Sequence, residues 1–230
     1  MSAVRPPILN PRAVPVVGTD AQLPPVAPDR LRAQALRARF ASPPEWTPER
    51  RGDGGLFEGH ERTDAAVLVP IVERDEGLTV LLTQRTDHLR SHAGHVAFPG
   101  GRVDAADADA IDTALRETEE EVGIARSQVS VIGTLPVYRT VTHFDVTPVV
   151  ALVRPDFTLT LDSFEVAEAF EVPLAFLMNP AHHQRHVIEA LGQRREFLSM
   201  PWPRADGQGE HFIWGATAAM LRNLYRFLSA

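Results

Sequence analysis

The stretch FPGGRVDAADADAIDTALRETEEEVG, residues 98–123, decides the fold of this chain of 230 residues. A double glycine precedes a helical pattern at roughly residues 108–122, and Gly123 follows as a C-cap. The last turns of this helix carry a run of glutamates, and like charges at neighbouring helical positions repel one another by about a few tenths of a kcal/mol per pair. The run therefore indicates either a solvated surface or a bound cation.

Helical periodicity separates the two kinds of side chain in this segment. The apolar positions fall on one stripe, which we expect to pack on a sheet: Ile111, Leu115, Thr118 and Val122. Glu117 and Glu121 lie four residues apart on a neighbouring face with Glu120 beside them, whereas Glu119 points away. We expect the three carboxylates to converge and to bind a hard divalent cation such as Mg²⁺ or Mn²⁺.

The segments around this helix read mainly as strands. AAVLVPIVER and LTVLLTQR, joined by DEG, predict a hairpin before the helix, and VSVIGTLPVYRT and FDVTPVVALV predict strands after it. TAAMLRNLYRFL predicts a terminal helix with one apolar side. Strands on both sides of a central helix predict an α+β fold, an α/β/α sandwich with a mixed sheet.

Composition bounds the organisation and the partners of the chain. Residues 1–28 are proline-rich and predict an extended or disordered arm, 29–63 a short basic helix and an irregular connection, and 64–230 the catalytic domain. A net charge of -7 argues against nucleic-acid and membrane partners. The absence of cysteine, of a signal peptide and of a long apolar run predicts a cytoplasmic protein. Composition does not distinguish a monomer from a homodimer.

The acidic segment resembles the Nudix box of nucleoside-diphosphate-linked hydrolases. Its slots are filled by Gly101, Arg116, Glu117, Glu120, Glu121, Gly123 and Ile124. Thr118 stands where the box has an aliphatic residue. The spacing is one residue long, so Asp104, Asp107 or neither takes the first acidic position of the box.

A second motif narrows the resemblance. LLTQRTDHLRSHAGHVAFPGG, residues 81–101, is similar to the additional motif of Nudix coenzyme A pyrophosphatases. The matching positions are Leu81, Leu82, Thr83, Arg85, Arg90, Gly94, Phe98, Pro99, Gly100 and Gly101. Only Thr86 departs, where the motif has Ser or Ala. The resemblance extends over roughly residues 64–228.

The resemblance implies hydrolysis of coenzyme A to adenosine 3',5'-bisphosphate and 4'-phosphopantetheine, with Mg²⁺ or Mn²⁺ as cofactor. Glu117 and Glu121 would be the principal metal ligands, assisted by Glu120 and a carbonyl near Gly101. Arg116 would form an orienting ion pair with a nearby carboxylate or, as the alternative, contact a phosphate directly.

Substrate contacts and the general base follow from the same resemblance. Either Arg85 or Arg90 could hold a phosphate, because a guanidinium matches phosphate oxygens in bidentate fashion. The loop motif adds three further residues to the expected substrate site: Gly94, Phe98 and Gly100. Candidates for the base are Glu120, Glu165 and Glu168, and candidates for stacking on adenine are Tyr138 and Phe144.

Alternatives stay open at this point. The substrate could be another nucleoside diphosphate derivative, such as ADP-ribose, NADH or a dinucleoside polyphosphate. The chain could also bind a nucleotide without cleaving it, although the box glutamates are all present. The basic helix at 29–40 could bind a partner in addition.

Overall fold

The structure, a computed structural model, describes residues 10–53, 62–88, 94–190 and 193–230. A mixed sheet contains β2 (Thr63–Arg74), β3 (Gly77–Arg85), β4 (Val96–Ala97), β5 (Gly100–Arg102), β6 (Val129–Thr134), β7 (Tyr138–Arg139), β8 (Phe144–Val153) and β9 (Val166–Pro173). A second sheet contains β1 (Val16–Thr19), β10 (Gln184–Ala190), β11 (Gln193–Pro203) and β12 (Glu210–Trp214). The α-helices are α1 (Ala33–Ala41), α2 (Ala110–Val122), α3 (Leu174–Leu177) and α4 (Gly215–Ser229).

The mixed sheet is built around β2. It pairs in parallel with β8, and antiparallel with β3 and β5. The predicted hairpin is present, with Arg74 opposite Gly77 and a positive φ of 128° at Gly77. Such a φ is open to glycine at little cost. The order of parallel and antiparallel pairs confirms the predicted mixed sheet.

Helices cover both faces of this sheet. Ala114 of α2 packs against Leu68 and Val149 on one face. On the other face, the buried side chains of α4 belong to the same apolar cluster as Val69 and Val150. Because side chains alternate along a strand, β2 supplies a core to each helix. The α+β sandwich is therefore confirmed.

Two helices differ from their predicted form. The segment 28–41 is a 3₁₀ turn, Pro28–Leu31, followed by α1, because Arg32 between them is extended. α4 is buried nearly all round, Arg222 and Asn223 included, where the periodicity predicted a single apolar side. It contacts β11 and β12 in addition to the mixed-sheet core, and its Arg222 and Asn223 are bonded to Glu49 and Arg50 of the N-terminal segment.

The N-terminal segment packs on the rest of the chain wherever it is described. β1 pairs with β10, and Val26 lies in the main apolar cluster. The buried Asp20 carboxylate lies 3.1 Å from the fully buried Arg222 guanidinium and 2.7 Å from that of Arg185. Burial alone would raise the pKa of Asp20, but these two cations outweigh it and the pKa is lowered.

No helix in the described ranges combines the length and the apolar content needed to cross a lipid bilayer.

Candidate active site

The acidic helix begins and ends as its sequence predicts. The Asp109 side chain accepts a hydrogen bond from the Asp112 N–H at 2.9 Å and caps the N-terminus. Gly123 closes the C-terminus at φ 76°. Thr118, in the aliphatic slot of the box, is fully buried and donates its hydroxyl to the Ala114 carbonyl at 2.6 Å. The hydroxyl is satisfied within the helix, so threonine packs there without an unpaired polar atom.

The glutamates differ in burial more than the periodicity indicated. The Glu121 side chain is only 6% exposed and that of Glu117 19%, whereas that of Glu120 is 60% exposed. Glu121 therefore belongs to the face that packs on the sheet, next to Thr118, and not to a neighbouring face. The prediction that placed Glu117 and Glu121 together outside the buried stripe was wrong for Glu121.

Burial dominates the electrostatics of this pair. Desolvation raises the pKa of Glu121 to about 8, and the nearby charges of Glu117 and Glu165 add to the rise. Desolvation also raises the pKa of Glu117, with repulsion from Glu120 and Glu165. A hydrogen bond of 3.2 Å from the Gly100 N–H opposes the rise at Glu121. A bound cation would therefore stabilise the ionised forms of Glu117 and Glu121.

Arg116 links three carboxylates through one guanidinium. It forms two hydrogen bonds of 2.8 and 2.9 Å with Asp107, one of 2.9 Å with Glu117 and one of 3.1 Å with Glu120. The bond from Arg116 holds the pKa of Asp107 well below its usual range. The arginine therefore makes the orienting ion pairs that the sequence predicts. The acidic partner left open at the start of the box is Asp107, whereas Asp104 only accepts bonds from its own turn.

The double glycine is required by close contacts. A Cβ at Gly100, whose φ is 154°, would lie 2.4 Å from the Ala66 carbonyl oxygen. A Cβ at Gly101 would lie 2.5 Å from the carboxylate of Glu117. The backbone of β5 therefore runs directly against the carboxylates, which is the approach expected of a backbone ligand at this position.

Arg85 joins the glutamates from the end of β3. Its guanidinium lies 3.5 Å from Glu121 and 3.1 Å from Glu165. Thr86, which departs from the motif, donates its hydroxyl to the Phe164 carbonyl at 2.8 Å, and its N–H donates to the Glu165 carbonyl at 3.0 Å. Thr86 thus holds the loop that carries Glu165, and a serine hydroxyl could do the same.

Other predicted residues are distributed differently. Glu168 does not join these glutamates: its carboxylate lies 2.5 Å from Arg204 and 3.6 Å from His211. The prediction for Arg90 falls outside the described residues. Tyr138 is buried with its hydroxyl 2.5 Å from Asp53, so its ring is not open for stacking.

A cavity of about 360 Å³ adjoins the double glycine. Its walls include Arg85, Phe98, Gly100, Gly101, Arg102 and Phe144 from the mixed sheet and the turn before β5, and Ile188, Arg195, Phe197, Trp214 and Met220 from β10, β11, β12 and α4. Sequence reasoning missed the second group. The signal for it in the sequence was that the resemblance extends to about residue 228 and so includes Trp214 and Met220.

The donor set suits a hard divalent cation, although the carboxylates are held by arginines. No group of three His, Asp or Glu side chains is arranged to hold a metal ion in the part of the chain that the structure describes. The expected convergence of three glutamates on one ion is therefore not seen, because Glu120 is exposed and bonded to Arg116. Glu117, partly buried, and Glu121, buried, both have raised pKa values and still offer anionic oxygens whose repulsion a cation would relieve.

The family model of the NUDIX domain matches residues 62–191. An Escherichia coli K12 protein described as the uncharacterized Nudix hydrolase NudL is 48% identical over 162 residues, which are 70% of this chain and 80% of that protein. A Shigella boydii protein of the same description is 47% identical over the same shares.

Solved structures are more distant. A crystal structure of a C. elegans Ap4A hydrolase binary complex has a TM-score of 0.42 and 25% identity, covering 52% of this chain and 85% of that one. The NUDIX domain of Shewanella oneidensis NrtR, complexed with ADP ribose, has a TM-score of 0.39 and 20% identity, covering 60% and 82%.

Proposed function

Because the chain belongs to the Nudix hydrolase family, whose members act on phosphorus anhydrides and generally use divalent metal ions, we propose that its substrate is coenzyme A or a derivative. Hydrolysis of the pyrophosphate bond would yield adenosine 3',5'-bisphosphate and 4'-phosphopantetheine. The observation that carries the proposal is the position of the 81–101 motif: Arg85, Phe98 and Gly100 from it line the cavity beside the box glutamates.

Mg²⁺ or Mn²⁺ would be held by Glu117 and Glu121, with assistance from Glu120 and the Gly101 carbonyl. When bound, such an ion shields the charge of a pyrophosphate and lowers the pKa of water at the site. The remaining groups act around it. Arg116 keeps Glu117 in place, since its guanidinium is itself anchored on Asp107 by two hydrogen bonds.

Arg85 and Arg90 are the proposed pyrophosphate ligands. Glu121 and Glu165 hold the Arg85 guanidinium in position at the cavity wall. A phosphate of the substrate would bind to this positioned guanidinium. Gly94, Phe98, Gly100 and Gly101 would shape the backbone on which the substrate lies. This division leaves the carboxylates for the cation and the guanidinium groups for the phosphates.

Among the candidates for the general base, the geometry favours Glu165. Its carboxylate contacts Arg85, and its charge acts on both Glu117 and Glu121. Glu168 is directed to Arg204 and does not join these glutamates, and Glu120 is 60% exposed, whereas Glu165 acts on both proposed metal ligands.

The test is a comparison of substrates and of two matched variants. The purified protein is incubated with coenzyme A, ADP-ribose, NADH and diadenosine polyphosphates, each with Mg²⁺ or Mn²⁺, and the products are separated by chromatography. We expect coenzyme A to be cleaved fastest. We expect Glu121→Gln to abolish turnover and Glu119→Gln, on the exposed side of α2, to retain it.

Faster cleavage of another substrate would reject coenzyme A and keep the metal site. An active Glu121→Gln protein would reject the metal site itself.

A further inference from the structure

Part of the wall of the proposed substrate cavity comes from residues outside the range that matches the NUDIX domain. Phe197, Trp214 and Met220 line the cavity, yet they lie beyond residues 62–191, which match the NUDIX domain. Trp214 contacts His95 and Phe197, with ring centroids 5.0 and 5.6 Å apart. An aromatic wall of this kind can stack on a flat heterocycle.

Arg102 supplies this cavity with a further cation beside Arg85, the proposed pyrophosphate ligand. Arg85 is paired with Glu121 and Glu165, and Arg195 donates to the Asp53 carbonyl at 2.9 Å. Within the described ranges, the Arg102 guanidinium has no carboxylate partner and packs over the Phe144 ring, 5.2 Å from its centroid. A guanidinium that packs on a ring is preorganised to bind a phosphate.

The backbone of Arg102 lies close to the proposed metal ligands. It directly follows Gly101, whose backbone lies against the Glu117 carboxylate. Its carbonyl accepts a hydrogen bond of 3.2 Å from Arg116, so the backbone of Arg102 is fixed to the same arginine that positions Glu117. The backbone of Arg102 thus adjoins the carboxylates, while its side chain lies over the Phe144 ring.

We propose that Arg102 and Phe144 form a subsite for a second phosphate of the nucleotide, the 3'-phosphate of a 3'-phosphoadenosine group, whose base lies in the aromatic cavity. The inference rests on the proposed function, because it places the adenosine half of coenzyme A in this cavity. Arg102 would then distinguish substrates by a phosphate that does not react. The dianionic phosphate finds there a cation that no carboxylate among the described residues neutralises.

The first measurement compares kcat/KM for coenzyme A and for 3'-dephospho-coenzyme A in the wild type, Arg102→Gln and Arg154→Gln. Arg154 is an exposed arginine outside the cavity and serves as the matched control. Arg102→Gln should lower kcat/KM for coenzyme A about tenfold or more, as expected for one charge-assisted phosphate contact, and leave 3'-dephospho-coenzyme A nearly unchanged. An equal loss on both substrates would place Arg102 on the shared pyrophosphate and overturn the proposal, as would no loss on either.

The second measurement does not require turnover. Calorimetry compares the binding of adenosine 3',5'-bisphosphate and of AMP, which lacks the 3'-phosphate, to the same three proteins. Tighter binding of the bisphosphate that is lost in Arg102→Gln alone supports the subsite, even if coenzyme A is not hydrolysed and the proposed function fails. Equal binding of the two nucleotides by the wild type overturns the subsite, even if coenzyme A is hydrolysed.

Discussion

Replacing Glu121 by Gln should stabilise the metal-free protein at alkaline pH while it abolishes hydrolysis. The glutamate side chain is 6% exposed, and its pKa is raised from 4.5 to about 8 by burial. A folded state with a raised carboxyl pKa binds more protons than the unfolded state between these two values. The contribution of Glu121 to the stability of the wild type is therefore fully present below pH 4.5 and is lost as the pH rises through 8.

The size of the effect follows from the same shift. At about 1.4 kcal/mol per pKa unit, ionising Glu121 removes about 3 kcal/mol of stability between pH 5 and pH 8. Glutamine has the same shape and its amide oxygen can still accept from the Gly100 N–H, so the variant should lack this part of the pH dependence. The two proteins should be similar at pH 5 and differ by about 3 kcal/mol at pH 8, in favour of the variant.

The assay is urea unfolding followed by tryptophan fluorescence in the presence of EDTA across this pH range. Glu119→Gln removes the same formal charge from the exposed side of α2 and should follow the wild type. Adding Mg²⁺ at pH 8 should raise the urea midpoint of the wild type but not that of Glu121→Gln, because a ligand stabilises only the state that binds it. A difference between wild type and Glu121→Gln that does not change with pH would refute the reasoning.

Three further predictions test other parts of the molecule. Gly101→Ala, whose Cβ would meet the Glu117 carboxylate at 2.5 Å, should lower kcat about 10- to 100-fold, measured by product release at saturating substrate. Asp20→Asn should lower the free energy of unfolding by about 3 to 5 kcal/mol in urea, because the buried Arg222 cation loses an anionic partner. Thr86→Val should lower it by about 1 kcal/mol, since one hydroxyl-to-carbonyl hydrogen bond is lost.

Each of these three substitutions has a matched control variant, and an unexpected effect would contradict the explanation given for it. Gly18→Ala, where a Cβ would have no atom within 4 Å, should leave activity unchanged, and an equal loss there would remove the steric explanation for Gly101. Asp156→Asn breaks only an exposed pair with Arg154 and should be nearly neutral, and a similarly small effect at Asp20 would show that the buried pair adds little. Thr86→Ser keeps the hydroxyl and should behave as the wild type.

The sequence by itself determined the central strands, the acidic helix and the role of Arg116 as an ion-pair partner. These features follow from local patterns: the continuous apolar runs of β2 and β3 with the DEG turn between them, the caps at Asp109 and Gly123, and the spacing of the box. A hairpin or a capped helix is specified mainly by interactions among its own residues. Sequence neighbours were therefore enough to predict them.

Only the tertiary structure decided which glutamates are buried and what closes the substrate cavity. Glu121 is buried because the mixed sheet and Gly100 lie against it, which the helical period alone does not reveal. Phe197 and Trp214 reach the cavity because the second sheet folds back over α4, after a separation of about a hundred residues from the box. Burial, pKa and cavity shape depend on such distant packing, and so they follow from the fold and not from any local stretch of the chain.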